Sequence, residues 1–234
     1  MSLYPIYSPL AAVVLPTIDS LEIDLNAELG ITKDGSNDVT AWADQAGGTG
    51  YTFGSSSGKY PNWADDVNNG LPAVTYTTAE GLWDESTGGP SPSATHWFFV
   101  VRFDTIGGGA PFMYDTRGTI HSVRGENTAI VGQYAGAGVG NTLTVTMSTW
   151  VLFESMIDGA TTSFMSENNG TKATGSDPGA GSTLANIYLM INDNKSTAGI
   201  ACGVQRMLVY TENLSVDNRA AVQVYLNSYY ALGF

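Results

Sequence analysis

With 234 residues, 43% of them hydrophobic and 13% charged, the chain can bury a sizeable core and fits one large β domain. Its 9 basic and 22 acidic residues give a net charge of −13, which repels phosphate backbones and anionic bilayers and leaves no nucleic-acid or membrane partner to expect. The lone Cys202 excludes an internal disulfide, the two histidines (His96 and His121) are too few and too far apart for a histidine-built metal site or triad, and no apolar run reaches the roughly 20 residues of a membrane helix.

Residues 1–19 contain Pro5, Pro9 and Pro16, which deny them a regular helix, so they are expected to form an extended arm. The apolar stretch Leu10–Leu15 has no Lys or Arg ahead of it and does not read as a signal peptide. Two readings of the arm stay open: a strand laid on its own sandwich, or a tether that docks on a neighbouring subunit through Tyr4, Pro5, Tyr7 and Leu10.

From residue 20 to 234, β-rich segments alternate with turn signals, the pattern of an all-β, two-sheet antiparallel jelly-roll sandwich. Strands are predicted at Leu21–Leu25, Val39–Asp44, Tyr51–Phe53, Ala73–Thr77, His96–Phe103, Phe112–Asp115 and Thr119–Val123. Further strands are predicted at Ala129–Tyr134, Thr142–Met147, Trp150–Ile157, Thr161–Ser166, Asn186–Ile191 and Gly199–Tyr210. His96–Phe103 is apolar on both faces and reads as a central strand, and Asp158-Gly159 reads as a hairpin turn. The chain then changes period. Ser215 caps a C-terminal helix that runs through Tyr230, its apolar side formed by Val216, Ala220, Val222, Val224, Tyr225, Leu226 and Tyr229, with Gly233 as a stop.

Sugar binding requires aromatic faces beside carboxylates or amides, and Tyr60, Trp63, Tyr76 and Trp83 lie among Asp65, Asp66, Asn68, Asn69 and Asp84. Tyr60, Trp63, Trp83, Asp65 and Asp66 are the candidate carbohydrate site; Trp42, Trp97 and Trp150 sit in apolar strands and read as core. Calcium needs several oxygen ligands in one loop. The loops Asp34–Asp38 and Asp65–Asn68 carry such oxygens, but their spacing fits no standard calcium loop and the same residues build turns, so no metal or other cofactor is expected. Cys202, flanked by apolar residues and glycine, reads as a buried structural thiol.

Two stretches together resemble the concanavalin A-like lectin/glucanase superfamily in its laminin-G-like branch. The first runs from Leu21-Glu22-Ile23-Asp24-Leu25 through Val39-Thr40-Ala41-Trp42-Ala43-Asp44 to Asn69-Gly70-Leu71-Pro72-Ala73-Val74. The second is Gln205-Arg206-Met207-Leu208-Val209-Tyr210 followed by Arg219-Ala220-Ala221-Val222. The resemblance implies a jelly roll, often with a carbohydrate-binding face, in secreted polysaccharide-acting proteins and in bacteriophage virions. The arm and the missing signal favour the virion. On this reading the chain is a non-enzymatic capsid decoration, tail or fibre component in virions assembled in the host cytoplasm. It is then homo-oligomeric, bound to other virion proteins through the arm and able to meet cell-surface glycans. The alternative is an extracellular bacterial carbohydrate-binding module or polysaccharide-acting enzyme.

The resemblance also raises catalysis, because glucanases of this superfamily carry Glu-x-Asp-x-Glu on one strand. Here Glu22 and Asp24 are followed by Asn26, so no catalytic residue is assigned and all three are expected to face solvent. A lyase groove would need Arg102, Arg117, His121, Arg124 and Tyr114 or Tyr134 to converge, which the sequence does not show.

Overall fold

A computed structural model describes residues 13–85, 89–107, 111–116, 121–135, 139–159, 162–176, 178–179, 184, 186–191, 195 and 199–234, without the side chains of Phe112 and His121. In chain order the strands are β1 (Leu21–Asn26), β2 (Ile31–Lys33), β3 (Val39–Ala43), β4 (Thr52–Gly54), β5 (Asn62–Asn68), β6 (Leu71–Tyr76), β7 (Leu82–Asp84) and β8 (Thr95–Thr105). They continue as β9 (Phe112–Thr116), β10 (His121–Asn127), β11 (Ile130–Ala135), β12 (Val139–Thr144), β13 (Trp150–Ile157), β14 (Phe164–Glu167), β15 (Ile187–Leu189) and β16 (Ala201–Tyr210), before helix α1 (Val216–Tyr230).

One sheet has seven strands in the order β14-β13-β8-β16-β6-β5, with β1 also paired to β16; the other has nine, in the order β12-β11-β10-β9-β15-β7-β4-β3-β2. The strands of both sheets pair antiparallel. β16 is long enough to serve two partners along one edge: its residues 202–204 pair with β6 and 206–210 with β1. The last strand thereby locks to the first.

The expected central strand is β8, held between β13 and β16. Its apolar character on both faces follows from the layering. Trp97, Phe99, Val101 and Phe103 join the core between the sheets, while Phe98 and Val100 join a second cluster under α1. In the first core Trp97 stacks on Tyr114, ring centres 4.1 Å apart and 7° from parallel. Trp42 and Trp97 are fully buried there. Trp150, expected in the core, is only half-buried against the second cluster, where Gly203 leaves room for its ring.

Ser215 caps α1 by accepting the Asn218 N–H at 3.2 Å, and Ala231, in the left-handed region at φ 51°, ends it. The buried face is Val222, Tyr225, Leu226 and Tyr230 with Gln223. Val216 and Val224, expected on that face, are 82% and 64% exposed. The correction is one of phase: at about 100° per residue, positions 222, 225, 226 and 230 share a side that excludes 216 and 224.

β2, β5 and β7 were not predicted. β5 is polar and poor in β-formers, yet it forms because Asn69 and Gly70, both at positive φ (53° and 76°), turn it back on β6 with Asn68 opposite Leu71. The Asp158-Gly159 hairpin does join β13 to β14, over residues 158–163. Of the arm, Tyr4, Pro5, Tyr7 and Leu10 lie outside the described residues. Leu15 and Ile18 pack against the cluster under α1, and Val13 and Val14 are 42% and 75% exposed.

Candidate functional site

The helix-facing side of the seven-stranded sheet is where charge accumulates. β1 alternates as predicted, with Ile23 and Leu25 in the inter-sheet core, but the opposite face is not solvated. Asp24 and Asn26 are each only 6% exposed. Asp24 accepts from Arg206 Nε at 2.8 Å and Nη2 at 2.6 Å, and Arg206 Nη1 donates to the Tyr225 hydroxyl at 2.6 Å. The expectation of an outward Asp24 failed because α1 covers this face. Glu22 accepts from Thr49 at the surface.

A second buried carboxylate, Glu154, lies on the same face of β13. Cross-strand register sets Phe98, Glu154 and Ser166 in one row and His96, Met156 and Phe164 in the next. Glu154 accepts from Ser166 Oγ at 2.8 Å, Gln223 Nε2 at 3.0 Å, and Arg219 Nε and Nη2 at 2.5 and 2.7 Å; His96 Nε2 stands 2.7 Å away. Burial alone would raise this carboxyl, but the hydrogen bonds from Arg219 and His96 outweigh it and hold it at about 2. Burial pushes the His96 imidazole down against the pull of Glu154, so the neutral ring donates through Nε2.

Above this network opens a groove of about 500 Å³. Its floor is Met156, Phe164 and Leu214, all nearly buried; its rim is Thr162, Lys172, Asn213, Ser215, Val216 and Arg219. Local structure places each rim group. An isolated bridge between Met165 and Ala173 brings Lys172 alongside β14, its Nζ 3.7 Å from the Phe164 ring centre. Asp158 accepts from Thr162 and Ser163 across the hairpin connection and from Asn213 Nδ2 at 3.4 Å, tying that connection to the start of α1. The bidentate contact with Glu154 holds Arg219 with its guanidinium 5.1 Å from the same Phe164 ring.

The sequence-predicted sugar residues lie elsewhere. Tyr60 and Trp63 are half-buried and Asp65 and Asp66 exposed at the β5 edge of the seven-stranded sheet, whereas Trp83 is on β7 of the other sheet. Trp63 donates Nε1 to the Ala27 carbonyl at 3.0 Å and has the Lys33 ammonium 3.3 Å over its ring; the Lys195 ammonium stands 4.8 Å over Trp83. The lyase candidates divide likewise. Arg102 pairs with Asp104 on β8, Arg124 lies over Tyr134 on the other sheet, and Tyr114 is in the core. Arg117 and the His121 side chain are outside the described residues. Asp34 Oδ1 accepts the Ser36 and Asp38 N–H groups, a local turn, and among the described residues no three His, Cys, Asp or Glu side chains converge as a metal centre would need. Cys202 is buried 3.4 Å from the Met190 sulfur, its thiol pushed up by desolvation.

Glu154, Lys172 and Arg219 were not singled out as site residues. One signal was present: Glu154 is the sole charge in Trp150–Ile157, and a carboxylate in so apolar a strand requires a cation.

No protein-family model and no curated protein is similar enough to match this chain. Solved structures are similar in fold. Trypanosoma rangeli sialidase in complex with sialic acid aligns with a TM-score of 0.59 at 11% identity, over 92% of this chain and 34% of that one. The binding domain of Paraclostridial Mosquitocidal Protein 1 aligns at 0.61 and 11%, over 90% of this chain and 52% of that one. Domain 4 of AbnA, a GH43 extracellular arabinanase from Geobacillus stearothermophilus, in complex with arabinotriose, aligns at 0.61 and 13%, over 88% of this chain and 98% of that domain. The chain thus spans about a third of the sialidase. At these identities the likeness defines the fold, a lectin-like two-sheet sandwich.

Proposed function

We propose that this chain is a carbohydrate-binding domain that holds its ligand, without catalysis, in the groove between the β13–β14 hairpin and the start of α1. The observation that carries the reading is the groove itself: about 500 Å³ of space, an apolar floor at Met156, Phe164 and Leu214, and hydroxyl, amide and cationic donors around the rim. That volume and mixture suit one or two sugar rings. The fold supports the reading, since the arabinanase domain matched over 98% of its length is a complex with arabinotriose. A reading without catalysis is supported by the carboxylate beneath the groove: Glu154 is engaged by Arg219 through two hydrogen bonds, an arrangement unsuited to a general acid.

The test is a glycan array probed with the full chain, followed by calorimetry and a reducing-end assay on each hit. Binding at millimolar Kd or tighter with no product release is the expected result; a blank array or released product overturns it.

A second reading, that the domain is displayed on a virion through residues 1–19, draws on the exposed Val13 and Val14 that lead into its globular part. Deleting residues 1–19 should abolish incorporation into particles while the domain stays folded at a lower Tm, since Leu15 and Ile18 pack under α1; normal incorporation would refute it.

A further inference from the structure

We propose that the groove selects an acidic saccharide, whose carboxylate or sulfate sits between the Lys172 ammonium and the Arg219 guanidinium at the mouth of α1. This rests on the carbohydrate-binding reading and names the ligand class of the same site.

In a chain of 9 basic and 22 acidic residues, two cations, Lys172 and Arg219, meet on the rim of one groove. Arg102, Arg124, Lys195 and Arg206 each have a carboxylate within ion-pair distance. Lys172, like Lys33 and Lys59, has none among the described residues; its ammonium is pushed down by burial and by the neighbouring Arg219 against the pull of Glu154, and an anion between the two cations would relieve their repulsion. Arg219 spends Nε and Nη2 on Glu154, which leaves the Nη1 donors for a ligand. Glu154 is then a positioning residue: it fixes the guanidinium plane from beneath.

The start of α1 adds to this. Ser215 Oγ takes the Asn218 N–H, and among the described residues the Val216 and Asp217 N–H groups have no hydrogen-bond partner at the positive end of the helix. Three carboxylates oppose an anion: Glu154 beneath the groove, which Arg219 already offsets, Asp217 in the first turn, and Asp158 at the rim, the last already accepting from Thr162, Ser163 and Asn213. The cavity is far larger than an inorganic anion and leaves room for a sugar ring beside the charged group. With a net charge of −13 the protein repels polyanions at a distance, so the fitting ligand is a single acidic sugar on an otherwise neutral glycan rather than a uniformly charged polymer.

The experiment titrates the full chain with oligosaccharides ending in a uronate, a sialate or a sulfated sugar, each beside its neutral counterpart, and with inorganic sulfate alone. At least one acidic glycan should bind about tenfold more tightly than its neutral counterpart, the scale of a charge-assisted hydrogen bond. Lys172→Met should erase that preference, bringing the acidic glycan to the affinity of its neutral counterpart for the same variant. Arg219→Lys, which keeps a charge for Glu154 but loses the fork, should weaken the acidic ligand by a similar factor. Equal affinity for acidic and neutral glycans, or a Lys172→Met variant that keeps the preference, overturns the acidic assignment while carbohydrate binding stands. No binding to any glycan overturns both, and sulfate binding without glycan binding reduces the groove to an anion site and also overturns the proposal.

Discussion

The seven-stranded sheet buries two faces, and they are built from different chemistry. Toward the nine-stranded sheet, β8, β13 and β16 present Trp97, Phe99, Val101, Phe103, Val151, Phe153, Met207 and Val209, an apolar surface broken by Ser155, whose hydroxyl meets the Tyr114 hydroxyl and accepts from Gln133 Nε2, each at 3.0 Å. Toward α1 the same strands present Phe98, Val100, Leu152 and Leu208, but also His96, Glu154 and Arg206, with Asp24 added from β1. Apart from that contact the first face excludes water by area, which is non-directional and specifies little beyond volume. The second face is directional: Arg206 with Tyr225 and Glu154 with Arg219 and Gln223 pin α1 at two points along its length, at the expense of desolvating two ion pairs.

Breaking one partner of a buried pair separates the two faces most clearly. Asp24→Ala strands Arg206 and Glu154→Ala strands Arg219, each expected to cost about 3–5 kcal/mol, read as a fall in urea midpoint at constant m-value. Replacing Asp24 and Arg206 together by Leu and Met should bring stability back to near that of the parent, since no charge is left unpaired. Phe153→Ala on the other face should cost a similar 3–5 kcal/mol, with no rescue by a polar partner.

Acid sharpens the contrast. The folded values of Glu154 and His96 both lie below their ordinary values of 4.5 and 6.5, so the stability they contribute is present above those values and lost as pH falls. For Glu154 the loss should run from about pH 4.5 down toward 2 and amount to roughly 3 kcal/mol. Urea midpoints measured across that range should fall steeply for the parent and less for Glu154→Gln; parallel curves would show that this carboxylate does not govern acid stability. Gly203→Val, whose Cβ would come within 2.9 Å of the Trp150 ring, should cost about 1–3 kcal/mol by overpacking. Ser215→Ala, removing the cap of α1, should cost about 1 kcal/mol, seen as a small drop in Tm.

Much of the fold was legible because its signals are local. The alternation of Leu21–Leu25, the unbroken apolar run of His96–Phe103 and the Ser215 cap each follow from residues near in sequence. The groove was not legible. Its parts come from residues 156–172 and 213–219, joined by the β13–β14 pairing and by the docking of α1, and neither stretch carries a motif. Tyr60, Trp63 and Trp83 have the composition of a sugar site, yet Trp63 and Trp83 fall on two different sheets, with Tyr60 in the connection before β5, because composition carries no information about which edges meet.

The sequence by itself determined the all-β class, the C-terminal helix and its cap, and the inward faces of the principal strands, since periodicity and capping are short-range effects. Only the tertiary structure decided which outward faces stay outward. Asp24, His96 and Glu154 occupy positions that alternation assigns to the far side of a sheet, and they are buried because α1 returns from the other end of the chain to cover them. Burial then requires partners, and Arg206 and Arg219 supply them, the second of these on the rim of the groove.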